Sequence, residues 1–206
     1  MRIKIIISTL LFALSITLTA QESSSTKRQR SRLNLGLSLN IPSKPTNVNY
    51  GVGFGILEQY EFLLGSHWSA VQSLGFNNLN GKTVSEFYED GFYNIEYEYF
   101  RTVALQLGMG FYFGEGQSTF FILFKGGIAG FWSVTPAYPE IRNSLGDVIK
   151  PAIPREEVNG NFWFFDPKIG WQFKRLQISL DYHGTIKHDI EINVWNIGVA
   201  YNIIKP

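Results

Sequence analysis

Residues 195–203 read Trp195-Asn196-Ile197-Gly198-Val199-Ala200-Tyr201-Asn202-Ile203. The odd positions Trp195, Ile197, Val199, Tyr201 and Ile203 are large and apolar, and the even ones are small or polar. Such alternation is the period-two signature of a β-strand with two unlike faces. A strand placed last in a chain is normally a sheet edge, and a flat apolar edge recruits other chains. Pairing it with the first strand closes the sheet and removes the edge. The stretch is therefore read as the closing strand of a barrel.

The pattern recurs upstream. Over residues 32–41, Leu33, Leu35, Leu37, Leu39 and Ile41 alternate with Asn34, Gly36, Ser38 and Asn40. Further stripes fall near residues 48–62, 67–77, 95–113, 120–132, 161–174 and 176–182, which brings the strand count to eight. All five tryptophans take the apolar phase. Glu58 also falls on that face, which calls for a bulge or a polar partner. Pro167 removes a ladder donor from the sixth strand and predicts a bulge there. The run 95–113 carries Ile95, Tyr97, Tyr99 and Arg101 outward and exceeds the roughly 9 to 11 residues of a membrane strand. Its first half is expected to project past the bilayer, with Arg101 at the rim.

Face polarity selects the kind of barrel. A soluble barrel is apolar inside, whereas here Gly, Asn, Ser and charged residues share the face opposite the aromatic stripe. The apolar face must then meet lipid. A packed β-sandwich would instead turn its Gly-rich faces to water. Aromatic residues make up 16% of the chain, which suits ring belts at bilayer interfaces. Twenty glycines argue against a helical protein, and the absence of cysteine excludes a disulfide framework.

Arg2 and Lys4 precede an apolar run from Ile5 to Leu18, followed by Thr19-Ala20 and a polar stretch. The run is shorter than the roughly 20 residues of a membrane helix, and its flanks predict a signal peptide over residues 1–20. Residues 21–31 form a polar leader containing Lys27-Arg28-Gln29-Arg30, and residues 32–206 form the barrel domain. Removing residues 1–20 takes two of 18 basic residues and none of 17 acidic ones, leaving a net charge of −1. No basic surplus points to nucleic acid.

Connections alternate between short, at residues 63–66, 114–119 and 175, and mostly longer, up to residues 133–160 with Pro136, Pro139, Pro151 and Pro154. Outer-membrane barrels have short periplasmic turns and long outer loops. The expectation is an all-β, eight-stranded antiparallel up-and-down transmembrane β-barrel of the outer membrane. It would be a monomer in contact with outer-membrane lipids, inserted by a barrel-assembly machinery that reads Tyr201.

The run from Gly55-Ile56-Leu57-Glu58-Gln59-Tyr60 to Leu74-Gly75-Phe76 resembles the second hairpin of the PorT-like outer-membrane β-barrel proteins. Asn161-Phe162-Trp163-Phe164-Phe165-Asp166, the strand of Tyr182 and the ending Asn196-Ile197-Gly198-Val199-Ala200-Tyr201 are similar to their last three strands. The resemblance implies an eight-stranded barrel in a Gram-negative outer membrane. The family's namesake is associated with protein secretion, but most members have no assigned activity, so no role carries over.

Inside the barrel, Lys125, Asp166, Lys168 and Asp181 are expected to project inward, together with Glu96 and Glu98. Charges in a narrow lumen must pair or be hydrated. They predict an ion-pair plug or, alternatively, a narrow conduit for water or small ions. The 133–160 loop carries Tyr138, Glu140, Arg142, Asp147, Lys150, Arg155, Glu156 and Glu157, a candidate surface for an extracellular or envelope protein. His183, Thr185 and Glu191 could form a nucleophile triad in a lipid A-modifying enzyme. The deacylase type needs Ser where Thr185 stands, and a rim histidine is more often simply solvated. His183 and His188, beside Asp189, are spaced to opposite faces of a strand, so no metal site is expected. No cofactor and no catalytic residue are assigned.

Overall fold

A computed structural model describes residues 31–88, 91–114, 118–138, 140–143, 145–186 and 191–204. The signal peptide, the basic cluster of the leader, His188 and Asp189 lie outside them. In chain order the strands are β1 (Ser31–Pro42), β2 (Tyr50–Leu63), β3 (Trp68–Gly81), β4 (Thr83–Tyr88), β5 (Gly91–Glu96), β6 (Tyr99–Phe113), β7 (Ser118–Thr135), β8 (Ile141–Arg142), β9 (Val148–Lys150), β10 (Glu156–Phe173), β11 (Leu176–Thr185) and β12 (Asn193–Asn202). Eight of them close into a barrel in the order β1-β12-β11-β10-β7-β6-β3-β2. The remaining four form two hairpins, β4–β5 and β8–β9, outside the barrel sheet.

The seam forms as the alternation requires. β12 pairs antiparallel with β1 through Leu35↔Tyr201, Leu39↔Ile197 and Ile41↔Trp195, and its other edge is taken by β11. Asn34, Asn40, Asn196 and Asn202 are buried in the lumen, while Leu37, Ile197, Val199 and Tyr201 lie exposed on the outer wall. No helix among the described residues is long and apolar enough to cross a membrane.

Register fixes the tilt. A hydrogen-bonded row starting at Trp163 passes Ile128, Leu105, Leu74, Glu58, Leu35, Tyr201 and Leu176, and re-enters β10 at Phe173, ten residues further along. With ~3.3 Å rise per residue and ~4.8 Å between strands, that stagger tilts the strands about 40° from the barrel axis. One circuit therefore descends about 25 Å, the height of the apolar band of an outer-membrane barrel. Rings mark its two edges. At the periplasmic end Trp68, Phe111, Phe113, Phe120 and Trp171 follow one another at centroid separations of 4.7–6.5 Å. At the outer end Phe165, Tyr182 and Trp195 do the same at 5.8 and 4.8 Å.

Four expectations are corrected. The 95–113 run is two elements, because β5 pairs with β4 instead of the barrel and Ile95 is buried. Period-two alternation reports a strand and is silent on which sheet receives it. The 133–160 loop is shorter than read, since β7 and β10 stay paired out to Thr135↔Glu156. Pro167 causes no bulge: its pairing with β7 is unbroken, and toward β11 the register is the same at Phe165↔Gly184 and Lys168↔Asp181. The ladder toward β11 omits Asp166 and Pro167, which accommodates the missing donor without an inserted residue. Glu58 is not at a bulge either, because the irregularity in β2 lies between Gly51 and Phe54.

One glycine sets how closely two strands approach. A Cβ on Gly127 would lie 1.9 Å from the Leu105 carbonyl oxygen, so β6 and β7 could not keep their spacing with a larger residue there.

Candidate functional site

Among the described residues the buried charges gather in the lumen, whose inner wall is set by strand phase. Lys125 on β7 and Asp166 on β10 are register partners, and their side chains meet with Nζ 3.1 Å from Oδ2. Gln106 on β6 locks the pair: Lys125 Nζ donates to its Oε1 at 2.9 Å, and its Nε2 donates to Asp166 Oδ2 at 2.6 Å. Ser73 on β3 donates to the same Oε1. Lys168 and Asp181 are buried and directly opposite in register, yet the Lys168 ammonium turns to Gln59 Oε1 at 3.5 Å. The four candidate lumen residues thus share one layer, and the close ion pair there is Lys125 with Asp166.

A second anionic centre lies toward the periplasmic end. Glu61 is fully buried and accepts hydrogen bonds from Asn34 Nδ2 at 2.9 Å, Gln59 Nε2 at 2.6 Å and the Tyr112 hydroxyl. Arg32 stacks over the Tyr112 ring at 4.7 Å and donates to Gln172 Oε1 at 2.9 Å. Among the described residues the lumen therefore sets Arg32, Lys125 and Lys168 against Glu61, Asp166 and Asp181, a balance of three and three. Glu61 and Arg32 went unread in the sequence, although Glu61 continues the inward phase of Gln59.

The outer end of the lumen is shut by hydrocarbon. Phe100, Phe131, Phe162 and Phe164 pack with Leu79, Ala104, Ala129, Ile192 and Val194. Beneath this plug, a cavity of about 30 Å³ touches Asp166, Lys168, Asp181, His183 and Asn196, with room for about two water molecules. Above it, a mouth cavity of about 290 Å³ is lined by Thr46, Tyr50, Phe100, Phe131, Ser133 and Ile192 among others.

Two further expectations fail here. Glu96 and Glu98 do not enter the lumen: both are exposed, and Glu98 accepts from Arg155 Nε at 2.6 Å above the outer rim. That bond holds the Glu98 carboxyl below its usual range. His183 is no rim residue, because β11 runs on to Thr185 and carries the imidazole inward, stacked on Phe164 at 4.0 Å. Thr185 Oγ1 accepts from the Ile192 amide, and Glu191 is exposed. The three residues do not assemble a triad, and the buried imidazole has no route to lipid on the outer wall.

A closed barrel with a ringed apolar wall and an ion-paired, plugged lumen defines an integral outer-membrane protein. The chain belongs to the outer membrane protein beta-barrel domain family, whose profile matches residues 8–202, and it resides in the outer membrane. No curated protein matches it. Among solved structures it is similar to Ail, the attachment invasion locus protein of Yersinia pestis, in complex with the heparin analogue sucrose octasulfate. Identity there is 14%, covering 84% of this chain and 97% of that one, with a TM-score of 0.45. The N-terminal β-barrel domain of Pseudomonas aeruginosa OprF gives 9%, 86%, 100% and 0.44, and Neisserial surface protein A gives 6%, 85%, 98% and 0.49.

Proposed function

We propose that this protein is a non-conducting outer-membrane barrel that serves as a rigid base for recognition by its outer hairpins. The observation that carries the reading is the lumen: among the described residues three basic and three acidic side chains balance there, Lys125 and Asp166 in direct contact, beneath a phenylalanine plug. A conduit needs a continuous polar path, and here the polar layer ends on hydrocarbon. Purified protein in planar bilayers should remain silent, and stepwise currents altered by Lys125→Ala would overturn the reading.

The outer hairpins suit recognition because they are braced. Tyr97 and Tyr138 hydroxyls lie 3.2 Å apart, Arg155 bonds Glu98, and Lys150 sits 4.6 Å over the Tyr138 ring. Phe87 and Phe92 on β4–β5 and Leu145 beside β9 are more than two-thirds exposed. A surface-exposed protein partner fits this apolar, rigid platform. Excising residues 140–150 should abolish partner capture in a pull-down while preserving the heat-dependent gel mobility of the barrel.

The reading includes cleavage after residue 20, insertion by an assembly machinery that recognises Trp195, Ile197, Val199, Tyr201 and Ile203, and kinship with the PorT-like branch. The paired alternation of β1 and β12 supports the second of these, and the 55–76 hairpin supports the third.

A further inference from the structure

Among the described residues, the lipid-facing wall between the two ring belts has one polar interruption. Along β2 the outward residues are Val52, Phe54, Ile56, Glu58, Tyr60 and Phe62; along β3 they are Trp68, Ala70, Gln72, Leu74 and Phe76. Tyr60 and Gln72 are direct cross-strand partners, and Glu58 is the next outward residue on β2, opposite Leu74. Among the described residues none gives the side chain of Glu58, Tyr60 or Gln72 a hydrogen bond.

Their depth makes this costly. In the row that descends from Trp163 to Phe173, Glu58 is the fourth of eight steps, midway between the outer and periplasmic ring belts. From the same tilt, Gln72 lies within about 2 Å of the depth of Glu58. Acyl chains offer neither donors nor acceptors there.

We infer that the β2–β3 wall is a lateral interface with a second copy of this chain. The patch is self-complementary: the Glu58 carboxyl accepts, while the Gln72 amide and the Tyr60 hydroxyl donate. A two-fold axis along the membrane normal keeps both copies at one depth, so it sets Glu58 of each barrel beside Gln72 of the other. Each then satisfies the group that its own barrel leaves bare. The dimer replaces the monomer expected from the sequence and does not depend on whether the lumen conducts.

The chain has no cysteine, so a single introduced cysteine can form disulfides only between chains. Leu74→Cys and Ile56→Cys flank the patch; Leu180→Cys lies at similar depth across the barrel. Oxidation of outer membranes with copper phenanthroline should give a dimer of twice the chain mass for at least one of the flanking pair and monomer for Leu180→Cys. Adding Glu58→Leu should lower dimer yield about 25-fold, the effect of losing two symmetry-related hydrogen bonds at about fivefold each. Gln72→Leu repeats the test if the Glu58 variant fails to show folded gel mobility. The inference is overturned by no dimer from either flanking site, by equal dimer from Leu180→Cys, by yield indifferent to both leucine variants, or by an adduct with a different protein.

Discussion

Lys125 Nζ lies 3.1 Å from Asp166 Oδ2, and both side chains are at most 3% exposed. A close pair so far from water is sensitive to the loss of one member, because the other is left charged and desolvated. Gln106 cannot substitute for the missing ammonium, since it already donates to the same carboxylate oxygen.

Lys125→Ala should therefore destabilise the barrel by about 3–5 kcal/mol, whereas Lys125→Met with Asp166→Leu should come close to neutral. Urea midpoints of the wild type, Lys125→Met, Asp166→Leu and the double variant in lipid vesicles give the coupling directly. Equal losses in the single and double variants would show that the pair contributes packing alone.

Glu61 makes a separate case because its partners are neutral donors. Replacing it by Leu strands Asn34 Nδ2, Gln59 Nε2 and the Tyr112 hydroxyl, at about 1–3 kcal/mol for each buried group left unpaired. Glu61→Gln keeps the shape and one acceptor oxygen, so its loss should be intermediate. Thermal shifts of the folded band on gels rank the variants, and the order wild type, Gln, Leu is expected.

How much of this was legible follows from what period-two alternation reports. The seam of β1 and β12 was readable because the leucines and asparagines alternate without ambiguity. Lys125 and Asp166 were readable as inward for the same reason, although their contact required the register between β7 and β10. Glu61 was missed because the inward set of β2 was ended at Gln59, one repeat early. His183 was placed at the rim for a like reason, with β11 stopped at Tyr182. The plug was hidden because Phe162 and Phe164 alternate with Trp163 and Phe165, and an all-aromatic run has no polar phase. Glu58 was visible as an anomaly from the start; only the unbroken register showed that it stays on the lipid side.

The outer brace between Glu98 and Arg155 carries a pH dependence. Arg155 holds the Glu98 carboxyl below its ordinary range, so the contribution is present above that range, around pH 4.3. It is lost as pH falls through the lower value of the folded state. Both side chains are solvent-exposed, so the effect is local loosening rather than unfolding. Protection factors in β4–β5, corrected for the intrinsic slowing of amide exchange in acid, should fall on acidification in the wild type, and Arg155→Ala should show the lower protection already at neutral pH.

The closing strand separates recognition from mere lipid solvation. Tyr201 stands on the outer wall at the periplasmic end, paired with Leu35 across the seam and with Leu176 on its other side. Val199 is two residues nearer the bilayer centre on the same face. An acidic residue on the lipid face costs more with depth, so by solvation alone Val199→Asp should insert less well than Tyr201→Asp. If an assembly machinery reads the aromatic, the order reverses: Tyr201→Asp accumulates in the periplasm and is degraded, Val199→Asp inserts at reduced yield, and Tyr201→Phe matches the wild type. Fractionation with gel mobility of the three variants distinguishes the two orders, and normal insertion of Tyr201→Asp would remove Tyr201 from any recognition role.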